Sequence, residues 1–164
     1  MELVNKWQAN AKSKAKENQN FLKRLKKSKQ GKLIDEIVNE ADEKAFEKMD
    51  CLACANCCKS ISPIVTRTDI KRIASALRMK ETEVVETYML VDSDGDHVMK
   101  QQPCPFLGAD NYCSIYEHRP KACREYPHTQ QQGFCKKPNL HYKNTLYCPV
   151  VFDVVETLKD KLQK

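Results

Sequence analysis

The sequence predicts a mainly α domain with short β-hairpins. Three observations carry that expectation. Apolar residues recur at helical spacing in several segments, turn residues separate short β-favouring pieces in the middle of the chain, and nine cysteines fall within residues 51–148. With 164 residues the chain has about the length of one domain. Hydrophobic residues make up 41% and charged residues 30%, which predicts a modest core.

Residues 1–30 read as helical: Leu3, Trp7, Ala11 and Ala15 repeat every four positions, Asn18 interrupts the stripe, and Leu22 and Leu25 resume it. The stripe is narrow, so the segment is expected to dock on something. Gly31 reads as a helix C-cap. Leu33 to Met49 forms a stronger amphipathic pattern through Leu33, Ile34, Ile37, Val38, Ala41, Ala45 and Met49. Ile61–Val65 reads as extended because of Pro63 and its β-branched neighbours. Thr66 and Asp69 have the spacing of a capping box, opening a helix that buries Ile70, Ile73, Ala74 and Leu77. Another helix is expected from Glu81 to Leu90, with Val84, Val85, Tyr88 and Met89 inward.

Asp92-Ser-Asp-Gly-Asp96 resembles the start of a calcium loop. Counted from Asp92, however, Gly95 falls fourth and Pro103 twelfth, where an EF-hand needs glycine sixth and glutamate twelfth. The segment is therefore read as a turn into a strand at 97–100. Asp110-Asn111 marks a second hairpin between 104–107 and 112–113. One helical turn is expected at 115–118, ended by Arg119-Pro120, and Pro120 starts another that carries Cys123. Residues 128–145 read as a long polar loop, and Val150 to Leu162 as a closing helix with Val151, Val154, Val155 and Leu158 on one side.

The net charge of +6 is uneven. Residues 1–32 hold ten basic and two acidic side chains, residues 33–50 two and seven, and residues 51–164 sixteen and thirteen. The basic run from Lys23 to Lys29 offers a surface to an acidic protein or a nucleic acid. It lacks aromatic interleaving and no nucleic-acid-binding fold is recognised, so a solvated helix face turned toward the acidic helix beside it is the preferred reading. The N-terminus has no secretory apolar region and no run is long enough to span a membrane, so the expectation is a cytoplasmic chain without membrane contact.

In a reducing compartment, clustered cysteines point to metal ligation or redox chemistry before disulfides. Cys51, Cys54, Cys57 and Cys58 follow the spacing C-x2-C-x2-C-C. A C-x2-C step lets two thiolates converge on one ion at about 2.3 Å, and soft thiolates suit zinc and iron. The triple also opens the four-iron ferredoxin pattern, but Cys58-Lys-Ser-Ile stands where C-x3-C-P is required. Ligands must therefore come from farther along, from among Cys104, Cys113, Cys123, Cys135 and Cys148. Adjacent cysteines do not easily serve one ion. The nine can supply two tetrahedral sites with one left over, or one site and several structural thiols. A thiol redox protein is disfavoured by the absence of a βαβ pattern.

Together, Cys51-x2-Cys54-x2-Cys57-Cys58, Cys104-Pro-Phe-Leu and Cys113-Ser-Ile-Tyr-Glu-His-Arg-Pro-Lys-Ala-Cys123-Arg-Glu-Tyr-Pro resemble the YkgJ-like CxxCxxCC cysteine-cluster family across residues 50–150. The resemblance implies a zinc- or iron-chelating domain of 50–164, stapled by its metal, behind a basic then acidic helical extension at 1–49. Cys148-Pro149 resembles the last cysteine of some members, and others place one nearer Cys135. The resulting ligand set is Cys51, Cys54, Cys57, Cys58, Cys104, Cys113, Cys123 and Cys148, with Cys135 as the alternative at the end. Tyr116 is expected to pack over the site and Arg119 to offset thiolate charge or bind carbonyls. His118 and His128 are read as surface or supporting residues. Related cysteine domains occur in flagellin lysine N-methylases and in proteins called iron–sulfur oxidoreductases. An iron–sulfur-dependent enzyme is therefore the alternative function, although no glycine-rich nucleotide loop supports it.

Overall fold

A computed structural model describes residues 2–162, with side chains described from residue 7 onward. The chain is mainly helical, as expected, and divides into two compact units. One comprises Met1–Cys54 with Pro127–Lys164, the other Ala55–Tyr126.

The first unit contains α1 (Glu2–Ser13), α2 (Ala15–Leu25), α3 (Gly31–Lys48), the short α4 (Cys51–Cys54), α9 (Pro138–Thr145) and α10 (Pro149–Leu162). In α3, Ile34, Val38, Ala41 and Ala45 repeat at intervals of three and four and are all buried. They meet Val150, Val151, Val154, Val155 and Leu158 of α10, with Phe21, Leu22 and Leu25 of α2 and Phe134 completing the cluster. Trp7 and Ala11 of α1 pack with Phe152 in a smaller cluster. Leu3 lies outside the described side chains.

Charges tie the same helices together. Lys159 of α10 is 4% exposed and meets Glu17 at 2.7 Å and Glu156 at 2.6 Å, and Glu156 also accepts from Lys14 at 2.5 Å. Asp35 accepts from the backbone of Gly133 and Phe134 at 2.8 and 3.0 Å, and Asp42 accepts from Thr129 at 2.5 Å. The segment 129–134 is thereby fixed against α3.

Several expectations for this unit need correction. Gly31 does not end a helix but begins α3. A Cβ there would stand 3.7 Å from the sulfur of Cys135, so packing rather than capping explains the small residue. Leu33 is 44% exposed, since it falls a full turn-fraction off the buried face. Asn18, read as a break in the stripe, is fully buried. Residues 128–145 are not a loop: a 3-10 turn at Phe134–Lys136 leads into α9. Its buried residues are His141, Asn144 and Thr145, so a hydrophobic pattern could not reveal it. Pro138 in its first turn was the available signal.

The second unit contains α5 (Asn56–Ser60), α6 (Arg67–Leu77), α7 (Glu81–Tyr88), β1 (Met89–Val91), β2 (His97–Met99) and α8 (Lys121–Glu125). The strands β1 and β2 are antiparallel, pairing Met89 with Met99 and Val91 with His97. The expected helix thus stops at Tyr88, and Met89 and Leu90 join the sheet instead. Ile64 bridges Val98 on the other side of β2, consistent with an extended Ile61–Val65. In the turn between the strands, the Asp92 carboxylate accepts from the backbone of Asp94 and Asp96 at 2.9 Å each. The core comprises Val65, Ile70, Ile73, Ala74, Val84, Met89, Met99, Phe106 and Ile115.

The capping box forms as expected. The Thr66 hydroxyl accepts from the Asp69 backbone at 3.2 Å, and the Asp69 carboxylate accepts from the Thr66 backbone at 2.9 Å. Asp69 does more than cap. Its side chain is 2% exposed and also accepts from Arg72 at 2.6 Å and from the Lys121 backbone at 3.1 Å. Burial works against its charge, but these bonds outweigh burial and hold its pKa below the ordinary value.

Replacing Asp69 by Ala leaves the Lys121 amide and the Arg72 guanidinium without their buried partner. The expected cost is on the order of 3 kcal/mol in denaturant unfolding. Glu40→Ala, which removes the exposed ion pairs to Lys44 and Lys161, should leave the unfolding midpoint nearly unchanged.

His141 is fully buried, its ring stacks on Phe134 with centroids 3.7 Å apart, and neither ring nitrogen has a hydrogen-bond partner among the described residues. Burial, then His128 and Lys137, hold its pKa down from 6.5 to about 4. The unfolded chain takes up a proton below 6.5 that the folded chain refuses until about 4. Stability is therefore complete above that window and falls as pH drops through it, by on the order of 3 kcal/mol. Urea midpoints of His141→Leu should depend less on pH between those limits than those of the parent chain. Equal slopes would exclude His141 as the source.

Candidate metal centre

The stretch from Cys51 to Cys58 is not one helix. After α3, Met49 is extended, and the Asp50 carboxylate accepts from the Leu52 backbone at 2.9 Å to start α4. Ala55 then takes a left-handed conformation, with φ 46°, before α5. An alanine there is strained, so the break is imposed by the surrounding fold. Cys51 and Cys54 belong to the first unit, Cys57 and Cys58 to the second.

Within the second unit, the chain folds back to bring three distant cysteines toward Cys58. The Cys58 carbonyl accepts from the Cys104 backbone at 2.9 Å. Leu107 N–H closes a turn onto the Cys104 carbonyl at 3.0 Å, and Leu107 bridges Cys113. The Asp110-Asn111 turn expected between them is present, with Asn111 at φ 64°. Both Cys104 and Cys113 pack on the core of this unit. Cys123 arrives on α8, whose first backbone N–H is held by Asp69.

The electrostatics report the grouping. Burial pushes the Cys123 thiol up to about 12, and Cys58, Cys104 and Cys113 push it in the same direction. Burial likewise raises Cys104 and Cys113. Opposing it, backbone N–H groups of Phe106 and Leu107 point at the Cys104 sulfur and that of Ile115 at the Cys113 sulfur. Such dipoles favour a thiolate. Cys58 moves the other way, down to about 7, chiefly through a hydrogen bond from Cys57, against burial and with help from Arg119 and Lys59.

In the first unit, Cys148 immediately precedes α10, and its N–H donates to the Asn144 carbonyl at 2.8 Å. Helix α10 packs along α3, and the chain leaving α3 supplies Cys51 and Cys54. Burial pushes the Cys148 thiol up to about 12. Backbone N–H groups of Val151 and Val150 oppose this, and Cys51 and Cys54 add to it. Cys135 sits elsewhere, 4% exposed within the apolar cluster beside Phe134.

Arg119 lies with its guanidinium 3.6 Å from the centroid of the Tyr116 ring and donates through Nε to the Tyr116 carbonyl at 2.8 Å. Its own carbonyl accepts from Arg72 at 2.6 Å and Arg124 at 3.0 Å. Tyr116 is 51% exposed. His118 is exposed, and His128 Nδ1 stands 3.2 Å from Gln131 Nε2. The sequence reading missed Arg72 and the wider role of Asp69. The capping box was the only signal near them.

None of the nine cysteines is in a disulfide. Among the described residues, no group of three or more Cys, His, Asp or Glu side chains is arranged to hold a metal ion as the chain stands. The chemistry of the donor set nevertheless fits zinc or iron: soft sulfurs, most of them partly buried, with N–H dipoles directed at three of them. A groove between α3 and α10, lined by Glu40, Lys44, Asp153 and Lys161 among others, includes no cysteine. No described helix is long and apolar enough to cross a membrane.

No curated protein and no solved structure gives a match to the chain. One family, described as "CxxCxxCC: Putative zinc- or iron-chelating domain", matches residues 50–149, more than half of the chain. The chain thus belongs to the CxxCxxCC family.

Proposed function

We propose that this protein binds zinc or iron through cysteine thiolates, with ligands drawn from Cys51, Cys54, Cys57, Cys58, Cys104, Cys113, Cys123 and Cys148. The observation that carries the reading is the treatment of the sulfurs of Cys104, Cys113 and Cys148. Each is partly buried, feels other thiols and yet receives backbone N–H groups, an environment that favours negative charge at sulfur. Cys148 is preferred to Cys135 as the last ligand because Cys51 and Cys54 act electrostatically on its thiol, whereas Cys135 is enclosed by apolar side chains.

Bound metal would supply Lewis acidity and thiolate bonds that staple separate turns together. The chain's own part is to deliver the sulfurs. Asp69 holds the start of α8 and so the position of Cys123. The hairpin between Cys104 and Cys113 sets those two, and Arg119 puts a cation near Cys58.

Protein purified without chelator should contain stoichiometric zinc or iron by elemental analysis. Colourless zinc protein and brown protein with acid-labile sulfide distinguish the two metals. Cys148→Ser should lose metal and Cys135→Ser should keep it. The opposite result would reassign the last ligand, and metal-free parent protein would end the chelation reading.

Because buried thiols must shed protons to bind, metal affinity should fall as pH falls, by at least about tenfold per pH unit. Competition with a chromophoric chelator at several pH values measures this. A flat profile would show that neutral groups hold the metal.

A further inference from the structure

Independently of the chelation reading, we infer that the basic helical face at residues 12–32 docks on the phosphate backbone of a double-stranded nucleic acid, without regard to base sequence.

The cations are concentrated and come from two parts of the chain. Residues 18–34 hold six basic and no acidic side chains, and residues 127–152 hold three basic and no acidic ones. Both lie in the first unit and meet there. Leu25 shares an apolar cluster with Phe134 and Cys135, and a Cβ on Gly31 would stand 3.7 Å from the Cys135 sulfur. Lys32 and Lys136, each next to one of these contacts and each exposed, extend the same surface.

The charges are also unopposed. Lys23, Arg24, Lys26, Lys27 and Lys29 are exposed, and none forms an ion pair among the described residues. The sequence suggested that the acidic helix α3 would face them, but its carboxylates are engaged elsewhere. Asp35 accepts from Gly133 and Phe134, Asp42 from Thr129, and Glu40 pairs with Lys44 and Lys161. Glu17, the one carboxylate of α2, meets Lys159 of α10.

The arrangement is regular. Lys12, Lys16, Asn20, Lys23 and Lys27 follow at intervals of three or four and are all exposed, so they form one stripe. Helical bonding carries the stripe across the break between α1 and α2: Lys14 N–H donates to Asn10 and Asn18 N–H to Lys14, at 3.0 and 2.9 Å.

Composition selects the occupant. A protein partner is gripped through an apolar and aromatic centre poor in lysine. No apolar side chain from residue 12 to 32 is exposed, and Phe21, Leu22 and Leu25 are buried. A single strand is held by stacking its bases on aromatic side chains, and this stripe offers none. Unpaired cations with small polar neighbours suit a row of phosphates, whose contacts position a duplex without reading it.

Fluorescence anisotropy of the full-length chain with short labelled duplexes of unrelated sequence, at several salt concentrations, tests this. Affinity should be similar across sequences and fall linearly in log Kd against log salt. Lys23→Gln/Arg24→Gln/Lys27→Gln should flatten that slope by about one per cation removed and weaken low-salt binding by at least about tenfold. Arg67→Gln/Lys71→Gln/Lys80→Gln, which removes the same charge from exposed positions of the other unit, should bind as the parent does. DNA and RNA duplexes run in parallel identify the source of the phosphates, and binding of either supports the inference. No duplex binding at low salt, or equal loss in the two variants, would overturn it. Displacement of the duplex by polyglutamate as readily as by unlabelled duplex would overturn it in favour of an acidic protein, and tighter binding of single strands would overturn the duplex assignment. None of the substituted residues is a proposed metal ligand, so its failure leaves the chelation reading standing.

Discussion

Holding several buried sulfurs together without a counter-charge is the constraint around which the cysteine-bearing segments are built. Burial alone keeps Cys123 and Cys148 protonated far above neutrality, and neighbouring thiols add to the effect. The backbone pulls in the opposite sense, directing N–H groups at Cys104, Cys113 and Cys148. A protonated thiol makes poor use of those dipoles. Under the chelation proposed above, a soft divalent ion would reconcile the two demands, because it would replace the protons and accept the sulfur charge.

If metal binds as proposed, the unit Ala55–Tyr126 is where a crosslink would add most. Its apolar core consists of nine buried residues and its sheet pairs only three residues per strand. Cores of that size seldom supply much net stability without a disulfide, a metal or a polar anchor. Asp69 is the polar anchor the chain provides, joining the start of α6, Arg72 and the start of α8 through one carboxylate. The other unit relies on a broader apolar cluster of fourteen buried residues and on the buried Lys159 between Glu17 and Glu156. There Cys135 is part of the apolar cluster and Cys148 packs against it.

Segments whose burial follows hydrophobic period were legible in the sequence. Ile34, Val38 and Ala45 in α3, Ile70 and Ile73 in α6, and Val151, Val154 and Leu158 in α10 all face inward as their spacing requires. Thr66 and Asp69 announced a helix start by residue type alone. Where polar residues occupy the interior, periodicity was blind. Helix α9 buries His141, Asn144 and Thr145, and Asn18 lies inside α2. Met89 and Leu90 were apolar enough for either helix or strand, and pairing with β2 decided between them. The cysteine spacing identified the family, whose model matches residues 50–149. The break within the motif was hidden, because nothing in Cys54-Ala-Asn-Cys57 signals that the backbone turns left-handed at Ala55.

Charge balance explains why Arg119 belongs with the cysteines of the second unit. Four thiolates around a divalent ion leave a surplus of two negative charges, which is costly in a half-buried setting. The Arg119 guanidinium lowers Cys58, Cys113 and Cys123 alike, and Lys59 adds to its effect on Cys58. A flexible side chain would offset that surplus only part of the time. Arg119 is held on the Tyr116 ring and bonded to the Tyr116 carbonyl, while Arg72 and Arg124 fix its backbone. Pro120 then turns the chain so that the same segment that carries the cation also carries Cys123 into the group. The Ile-Tyr-Glu-His-Arg-Pro block thus combines two roles: it leads into the helix that carries Cys123 and supplies a positive charge that favours the Cys58, Cys113 and Cys123 thiolates.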